Sequence, residues 1–407
     1  MDRTYAPGWY SACARVTGQR GMAEYLTHAL VLHLIIFQVI VLLVILSNTW
    51  LLHRARRHVP PPVFPKVSLL VPARNEAGNI AGCIRSLLTQ DYPYFEVLAL
   101  DDQSSDDTLT ILEQIALTQP KLKVLIGSPP PADQGGKSWA CAQLAQQAQG
   151  ELLFFTDADT FHRSDMLRLS VTALIGEQAD LLTGFPHQDV HTWGERLLVP
   201  FFSWAVYCFT PLSLAYRLRL PALSNAVGQM MLFRSEAYRE IGGHTAAGTS
   251  IVEDLLLARR IKAAGLRWRI IHATDLIECR MYPDSRTAFN GFAKNLFAAL
   301  DFHLLGFLFV FLWLAVMFWE PLVVLGLTIF GQAHLARLDQ LVVCIGLSLL
   351  IWLIPYLELG IPPVLALIYP LTILATEAAA LQSLRFSFAG RLTWKSRSLG
   401  RPRWKWF

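Results

Sequence analysis

Thr156-Asp157-Ala158-Asp159 follows the apolar run LLFF, so two carboxylates flank a single residue at the end of a strand. That spacing suits a divalent cation, because Mg²⁺ takes oxygen ligands and is often held by one or two carboxylates plus substrate phosphates. A cation there could bridge the oxygens of a nucleotide diphosphate and stabilise its charge as a bond to it breaks. A solvated acidic turn gives the same pattern. Glu253-Asp254 opens the helical pattern LLLARRIKAAG. A carboxylate at this place could take a proton from a hydroxyl within hydrogen-bond reach. Acids at a helix N-terminus also favour the helix by themselves.

Two further groups could serve a nucleotide. Asp101-Asp102 ends an apolar run and could accept hydrogen bonds from a base or a ribose, while Ser104, Ser105 and Asp106 could cap the helix behind it. Gly135-Gly136-Lys137 could set backbone amides and an ammonium beside a phosphate at a helix N-terminus, or be a plain loop-to-helix junction. It is not a complete P-loop, which requires glycine where Pro131 stands. The eleven histidines form no HExxH motif, so no histidine metal site is expected, and no G-x-S-x-G elbow occurs. Cys13, Cys83, Cys141, Cys208, Cys279 and Cys344 are scattered without a CxxC pair, as in a reducing compartment.

The elements that must position these groups alternate. Apolar strands are expected at Lys66–Val71, Phe95–Leu100, Leu122–Ile126 and Glu151–Thr156. Between them helices are expected from Asn75-Glu76 to Leu88, from Ser104–Asp107 to Leu117, and from Gly135-Gly136 to Ala148. This order predicts βαβ units and a parallel sheet. Ligands of such sheets bind at the carboxyl ends of the strands, which is where the acidic groups fall.

The rest of the chain belongs with a bilayer. Residues are 53% hydrophobic and 16% charged, against about 25% charged in ordinary globular chains. A net charge of +4, with no basic stripe, gives no reason to expect a nucleic-acid partner. Residues 25–53 contain no Asp, Glu, Lys or Arg and are long enough for a transmembrane anchor behind an N-terminal segment, 1–24. Arg54, Arg56 and Arg57 follow, so the domain at 60–300 is expected in the cytoplasm. A transmembrane group is expected over 302–383, with apolar stretches at 302–330, 341–357 and 359–376, then a basic tail, 384–407. Four crossings would put that tail outside, against the positive-inside tendency. A re-entrant stretch, or a bend at Glu320-Pro321, removes the conflict. The uncharged run 197–216, broken by Pro200 and Pro211, is read as an interfacial segment, because a crossing there would separate the acidic groups. A buried helix of the domain is the other reading.

In order, Pro72-Ala73-Arg74-Asn75-Glu76, Asp101-Asp102-x-Ser104-x-Asp106, Gly136-Lys137, Asp157-x-Asp159, Gly242-Gly243 and Glu253-Asp254 resemble the inverting family 2 glycosyltransferases. The resemblance covers residues 66–271 and implies an α/β fold, a Rossmann-like GT-A domain with transmembrane helices attached. It implies that Pro72, Arg74, Asn75, Glu76, Asp101, Asp102, Lys137, Asp157 and Glu253 face a nucleotide-sugar donor, UDP-hexose first. Asp157 and Asp159 would hold Mg²⁺ or Mn²⁺, and Asp254 would be the base that activates the acceptor hydroxyl. Processive members carry Q-x-x-R-W after the acidic base, and none follows here. Arg280-Met281-Tyr282 and Gly291-Phe292-Ala293-Lys294-Asn295 look like segments of lipid-directed members, carotenoid glycosyltransferases among them. Trp394-Lys395-Ser396-Arg397 is similar to their W-K-G-R tail, with serine where glycine is usual. Arg280, Lys294 and Arg397 are cations for donor phosphates or for anionic headgroups. What is implied is transfer of a single hexose to a lipid of the inner membrane, an isoprenoid such as a carotenoid being favoured. The alternatives are a polyprenyl-phosphate sugar transferase and a polysaccharide synthase.

Overall fold

The computed structural model describes residues 8–55, 57–331, 336–391, 393–394, 397–398 and 404–406. Arg56, Lys395, Ser396 and parts of the N-terminal segment 1–24 and the basic tail 384–407 lie outside the described residues, and Cys13, Trp394 and Arg397 are described in backbone alone. Eight strands form one sheet: β1 Val67–Ala73, β2 Phe95–Asp101, β3 Leu122–Ile126, β4 Leu152–Phe155, β5 Thr160–His162, β6 Leu181–Gln188, β7 Met231–Arg234 and β8 Trp268–Cys279. Their order is β3-β2-β1-β4-β7-β6-β8-β5. The first four in space run parallel, and β7 enters antiparallel to both β4 and β6. The helices are α1 Gly8–Ala55, α2 Ile80–Leu88, α3 Thr108–Ala116, α4 Gly136–Gln147, α5 Met166–Gly176, α6 Trp193–Phe209, α7 Leu212–Ala215, α8 Ser235–Glu240, α9 Glu253–Ala263, α10 Ser285–Ala299, α11 Leu304–Ile329, α12 Leu338–Glu358 and α13 Tyr369–Ala389.

β1, β2 and β4 are apolar almost throughout because both faces are covered. Leu69, Val71, Val97 and Phe154 point into one core with Ile84 of α2 and Leu112 of α3. Leu70, Leu98 and Phe155 point into the other, which continues through α4 and α6 into the apolar helices. The helix expected from Asn75 begins five residues later, at Ile80. Asn75 sits at φ 52°, and the amides of Asn75, Glu76 and Ala77 donate to Ser104 Oγ, Thr108 Oγ1 and Asp106 Oδ2. The positive φ of Asn75 is not helical, and side chains of the second βα connection accept from the three amides and stitch the two loops together.

Four segments are long and apolar enough to cross a bilayer: Val31–Ala55, Leu304–Ile329, Leu338–Glu358 and Pro363–Ala389. The uncharged run 197–216 becomes α6 and α7, wedged between the sheet and the apolar helices. A capping box of Thr192 and Glu195 starts α6. Trp204 in α6 is fully buried, its ring stacked on Trp352 of α12 at 3.9 Å and its Nε1 donating to the Ile351 carbonyl at 3.1 Å. Asn48 of α1 donates to the carbonyls of Tyr207 and Thr210. The stretch 359–389 has both ends against the domain. At the first, Gly360 backs onto His187 of β6. At the second, Ser383 accepts from the Phe297 amide of α10 at 3.0 Å, and Phe388 meets the rings of Phe297 and Trp404. The tail returns to the same place, where the Leu304 amide donates to the Lys405 carbonyl at 2.8 Å.

Candidate active site

Parallel register sets the edge of the site. Ala73 pairs with Asp101 and Leu70 with Phe155, so the loops after β1, β2 and β4 leave the sheet side by side. Arg74 Nη1 donates to the Asp102 carbonyl at 2.5 Å and lies 3.9 Å from its Oδ2. Asp101 and Asp102 are both buried. Asp101 Oδ2 accepts from the Ser104 amide at 3.1 Å, whereas its buried Oδ1 has no hydrogen-bond partner among the described residues. Pro72 is half-buried at the end of β1, and Glu76 accepts from Asn79 of its own loop at 3.0 Å.

The acidic groups distant in sequence meet beside this edge. Lys137, in the first turn of α4, places Nζ 2.7 Å from Asp157 Oδ1 and 3.1 Å from Glu253 Oε1. Asp254, in the first turn of α9, accepts from the Gly228 amide at 3.1 Å and from the Leu255 amide at 2.7 Å. A Cβ on Gly228 would stand 3.3 Å from Lys137 Nζ, 3.5 Å from Asp254 Oδ2 and 3.6 Å from Asp157 Oδ2. The two carboxylates are therefore no farther apart than the last two distances combined. Asp159 takes the Cys279 thiol at 3.7 Å on Oδ1 and the Arg280 amide at 3.4 Å on its carbonyl.

Burial and the neighbouring Glu253 charge push the Asp254 carboxyl up to about 7, with Lys137 pulling it the other way. Burial works against the Lys137 ammonium, but Asp157 and Glu253 outweigh it and hold its pKa well above the usual lysine value. Burial, helped by the charges of Asp159 and Asp157, raises the thiols of Cys83 and Cys279, so both stay protonated at neutral pH and neither is an activated nucleophile. Asp157 and Asp159 offer oxygen alone, a donor set that fits a hard divalent cation.

A cavity of about 720 Å³ joins this cluster to the apolar helices. Lys137, Asp157, Asp159, Glu253 and Asp254 line it, and so do Phe37 of α1 and Phe309 and Trp313 of α11. Pro72, Arg74, Asn75, Glu76, Asp101 and Asp102 do not; they form the neighbouring edge. Tyr282 and Lys294 line the cavity, and Tyr282 lies so close to Gly291 that a side chain there would collide with its ring. Arg280 instead bonds the Pro283 carbonyl at 3.3 Å, and Gly242-Gly243 closes α8 outside the cavity. Trp193 is exposed and Trp204 fills the core.

Sequence reasoning missed Gly228 and its loop, Asn225–Gln229, all of which line the cavity. The signal was indirect. A strand that runs antiparallel in a parallel sheet brings its leading loop to the carboxyl ends of its neighbours, and β7 does this next to β4.

Residues 68–242 match the family model Glycosyl transferase family 2. A β-monoglucosyldiacylglycerol synthase of Trichormus variabilis is 45% identical over 105 residues, 25% of this chain and 22% of that protein. A 4,4'-diaponeurosporenoate glycosyltransferase of Staphylococcus aureus is 26% identical over 234 residues, 56% of this chain and 60% of that protein. The chain thus spans about a fifth of the first relative and three-fifths of the second. Among solved structures, the mannosyltransferase PcManGT of Pyrobaculum calidifontis, in complex with GDP-Man and Mn²⁺, superposes with a TM-score of 0.51 at 18% identity, over 89% of this chain and 99% of that one. That likeness is one of fold, the GT-A fold.

Proposed function

We propose, from the premise that residues 68–242 are a family 2 glycosyl transferase domain, that the chain moves one hexose from a nucleotide-diphosphate sugar onto a membrane lipid, with inversion. The observation that carries this is the single cavity shared by the acidic cluster and the apolar faces of α1 and α11. A lipid hydroxyl could reach Asp254 through it without leaving an apolar surface.

The residues divide the work. Arg74, Asn75, Glu76, Asp101 and Asp102 hold the nucleoside, where the buried Asp101 Oδ1 awaits a donor. Asp157 and Asp159 hold Mg²⁺ or Mn²⁺, which when bound neutralises the diphosphate oxygens. Lys137 at the N-terminus of α4 meets the same diphosphate. Asp254 takes the proton of the acceptor hydroxyl, its oxygen attacks the anomeric carbon, and the diphosphate leaves with the bonding pair. The Gly228 and Leu255 amides fix the carboxylate for that task. Single transfer is supported by the lack of Q-x-x-R-W after Asp254.

A carotenoid or similar isoprenoid is the favoured acceptor, supported by the R-M-Y and G-x-x-K-N segments and by the relative that acts on diaponeurosporenoate. A diacylglycerol is the second reading, supported by the shorter but higher identity to a diacylglycerol-glucosylating relative. We read α1, α11 and α12 as crossings and the stretch 359–389 as re-entrant, since both its ends meet the domain. Three crossings put Arg54, Arg57, Arg391 and Lys405 on one face, the cytoplasmic one, of the inner membrane. Mass spectrometry of lipids from cells with and without the gene tests the whole proposal. A hexose-sized mass increment on one lipid class is expected; unchanged lipids alongside a lost polymer would overturn it.

A further inference from the structure

His53 and His272 stand far apart in the sequence, yet the fold brings both to one carboxylate. His53 is near the end of α1, His272 lies within β8, and Glu358 ends α12. Nε2 of His53 is 3.0 Å, and Nε2 of His272 3.1 Å, from the same oxygen, Glu358 Oε2. One ligand atom from each residue lies within 4.8 Å of the other two. The rings stand 5.5 Å apart. None of the three lines the cavity of the candidate active site.

We propose that His53, His272 and Glu358 form a second metal site, for a borderline divalent cation of the zinc class, which pins the ends of α1 and α12 to the sheet. Two imidazole nitrogens and one carboxylate oxygen are the donors that Zn²⁺ takes, unlike the all-oxygen pair Asp157 and Asp159. Tetrahedral Zn²⁺ with bonds near 2.0–2.1 Å sets its ligand atoms about 3.4 Å apart, so the two short contacts need open by only a few tenths of an ångström. His272 is fully buried in the sheet and fixes one corner. The His53 side chain is half-exposed and leaves the fourth position to water. Binding requires both imidazoles neutral at Nε2 and the carboxylate ionised, so it weakens as pH falls. Because the unfolded chain does not gather the three ligands, the metal adds to the stability of the folded one.

The test uses the full chain in detergent or nanodiscs, stripped with chelator and then dialysed against Zn²⁺ in excess Mg²⁺. Inductively coupled plasma mass spectrometry should find one retained zinc per chain in the wild type and in an Asp157→Ala/Asp159→Ala variant. Glu358→Gln and His53→Gln should each retain a small fraction of that. Thermal melting of the wild type should rise with Zn²⁺, and the rise should vanish in both variants. Should Glu358→Gln fail to fold, His53→Gln, at a half-exposed side chain, carries the comparison. Folded wild type that retains no zinc, or retention unchanged in His53→Gln, would leave a hydrogen-bonded cluster and overturn the site.

Discussion

Lys137 holds Asp157 in an ion pair of 2.7 Å, so an ammonium of the protein already sits on the carboxylate proposed to bind metal. Lys137→Met should therefore tighten Mn²⁺ binding by the donor-free protein. It should also cost about 10²–10³-fold in transfer, because a preorganised charge facing the leaving group is gone. Electron paramagnetic resonance titration of Mn²⁺ measures the first effect. Affinity that falls in the variant would remove Asp157 from the ligand set.

Gly228 is the meeting point of the three charged side chains. Its φ is not positive, and a Cβ would make no contact shorter than 3.3 Å, so Gly228→Ala should fold with unchanged melting temperature. The added methyl would occupy the space between Lys137, Asp157 and Asp254. Donor affinity, read by calorimetry, should drop at least about tenfold, a loss of about 1.4 kcal/mol. Wild-type affinity would mean that the diphosphate lies elsewhere.

Asp254 sets the expected pH behaviour. Burial and the Glu253 charge push its carboxyl up to about 7 in the fold, well above the ordinary aspartate value, so the folded chain favours the protonated form. As a base it works only when ionised, and kcat/KM should climb as pH rises through about 7 and level off above. Stability of the metal-free protein should run the other way. The contribution of a raised carboxyl is full below the unfolded value and is lost as pH rises through the folded one. Asp254→Asn removes that loss, so its melting temperature at pH 8 should exceed the wild type by a few degrees.

Val206 of α6 lines the apolar part of the cavity. Val206→Trp should raise the KM for a lipid acceptor, or cut transfer about tenfold, while donor binding stays as it was. Equal loss of donor binding would indicate that the cavity serves the donor instead.

The sheet was legible in the sequence for a physical reason. β1, β2 and β4 are covered on both faces, so each is a near-continuous apolar run, and the acids at their ends could be placed on one edge. Asn75-Glu76 read as a helix start, because nothing local shows the positive φ that Asn75 adopts in the loop stitched to Ser104 and Thr108. Gly228 was invisible because its place depends on β7 pairing antiparallel with β4, a contact between distant segments. Hydropathy gave the apolar stretches but not their course. Only the packing of Ser383 and Phe388 on α10 brings the far end of the last one back to the domain. His53 and His272, one near the end of a helix and one in a strand, share no periodicity that could have announced Glu358 between them.

The most direct measurement compares wild type and Asp254→Asn in bilayers that contain the acceptor, with a labelled nucleotide sugar. Donor binding by calorimetry and label in the lipid extract are read on the same preparations. Binding within about twofold of wild type, with transfer down by about 10²–10⁴, is the expected result for loss of a general base. Transfer at the wild-type rate, with donor bound normally, would contradict Asp254 as the group that activates the lipid hydroxyl.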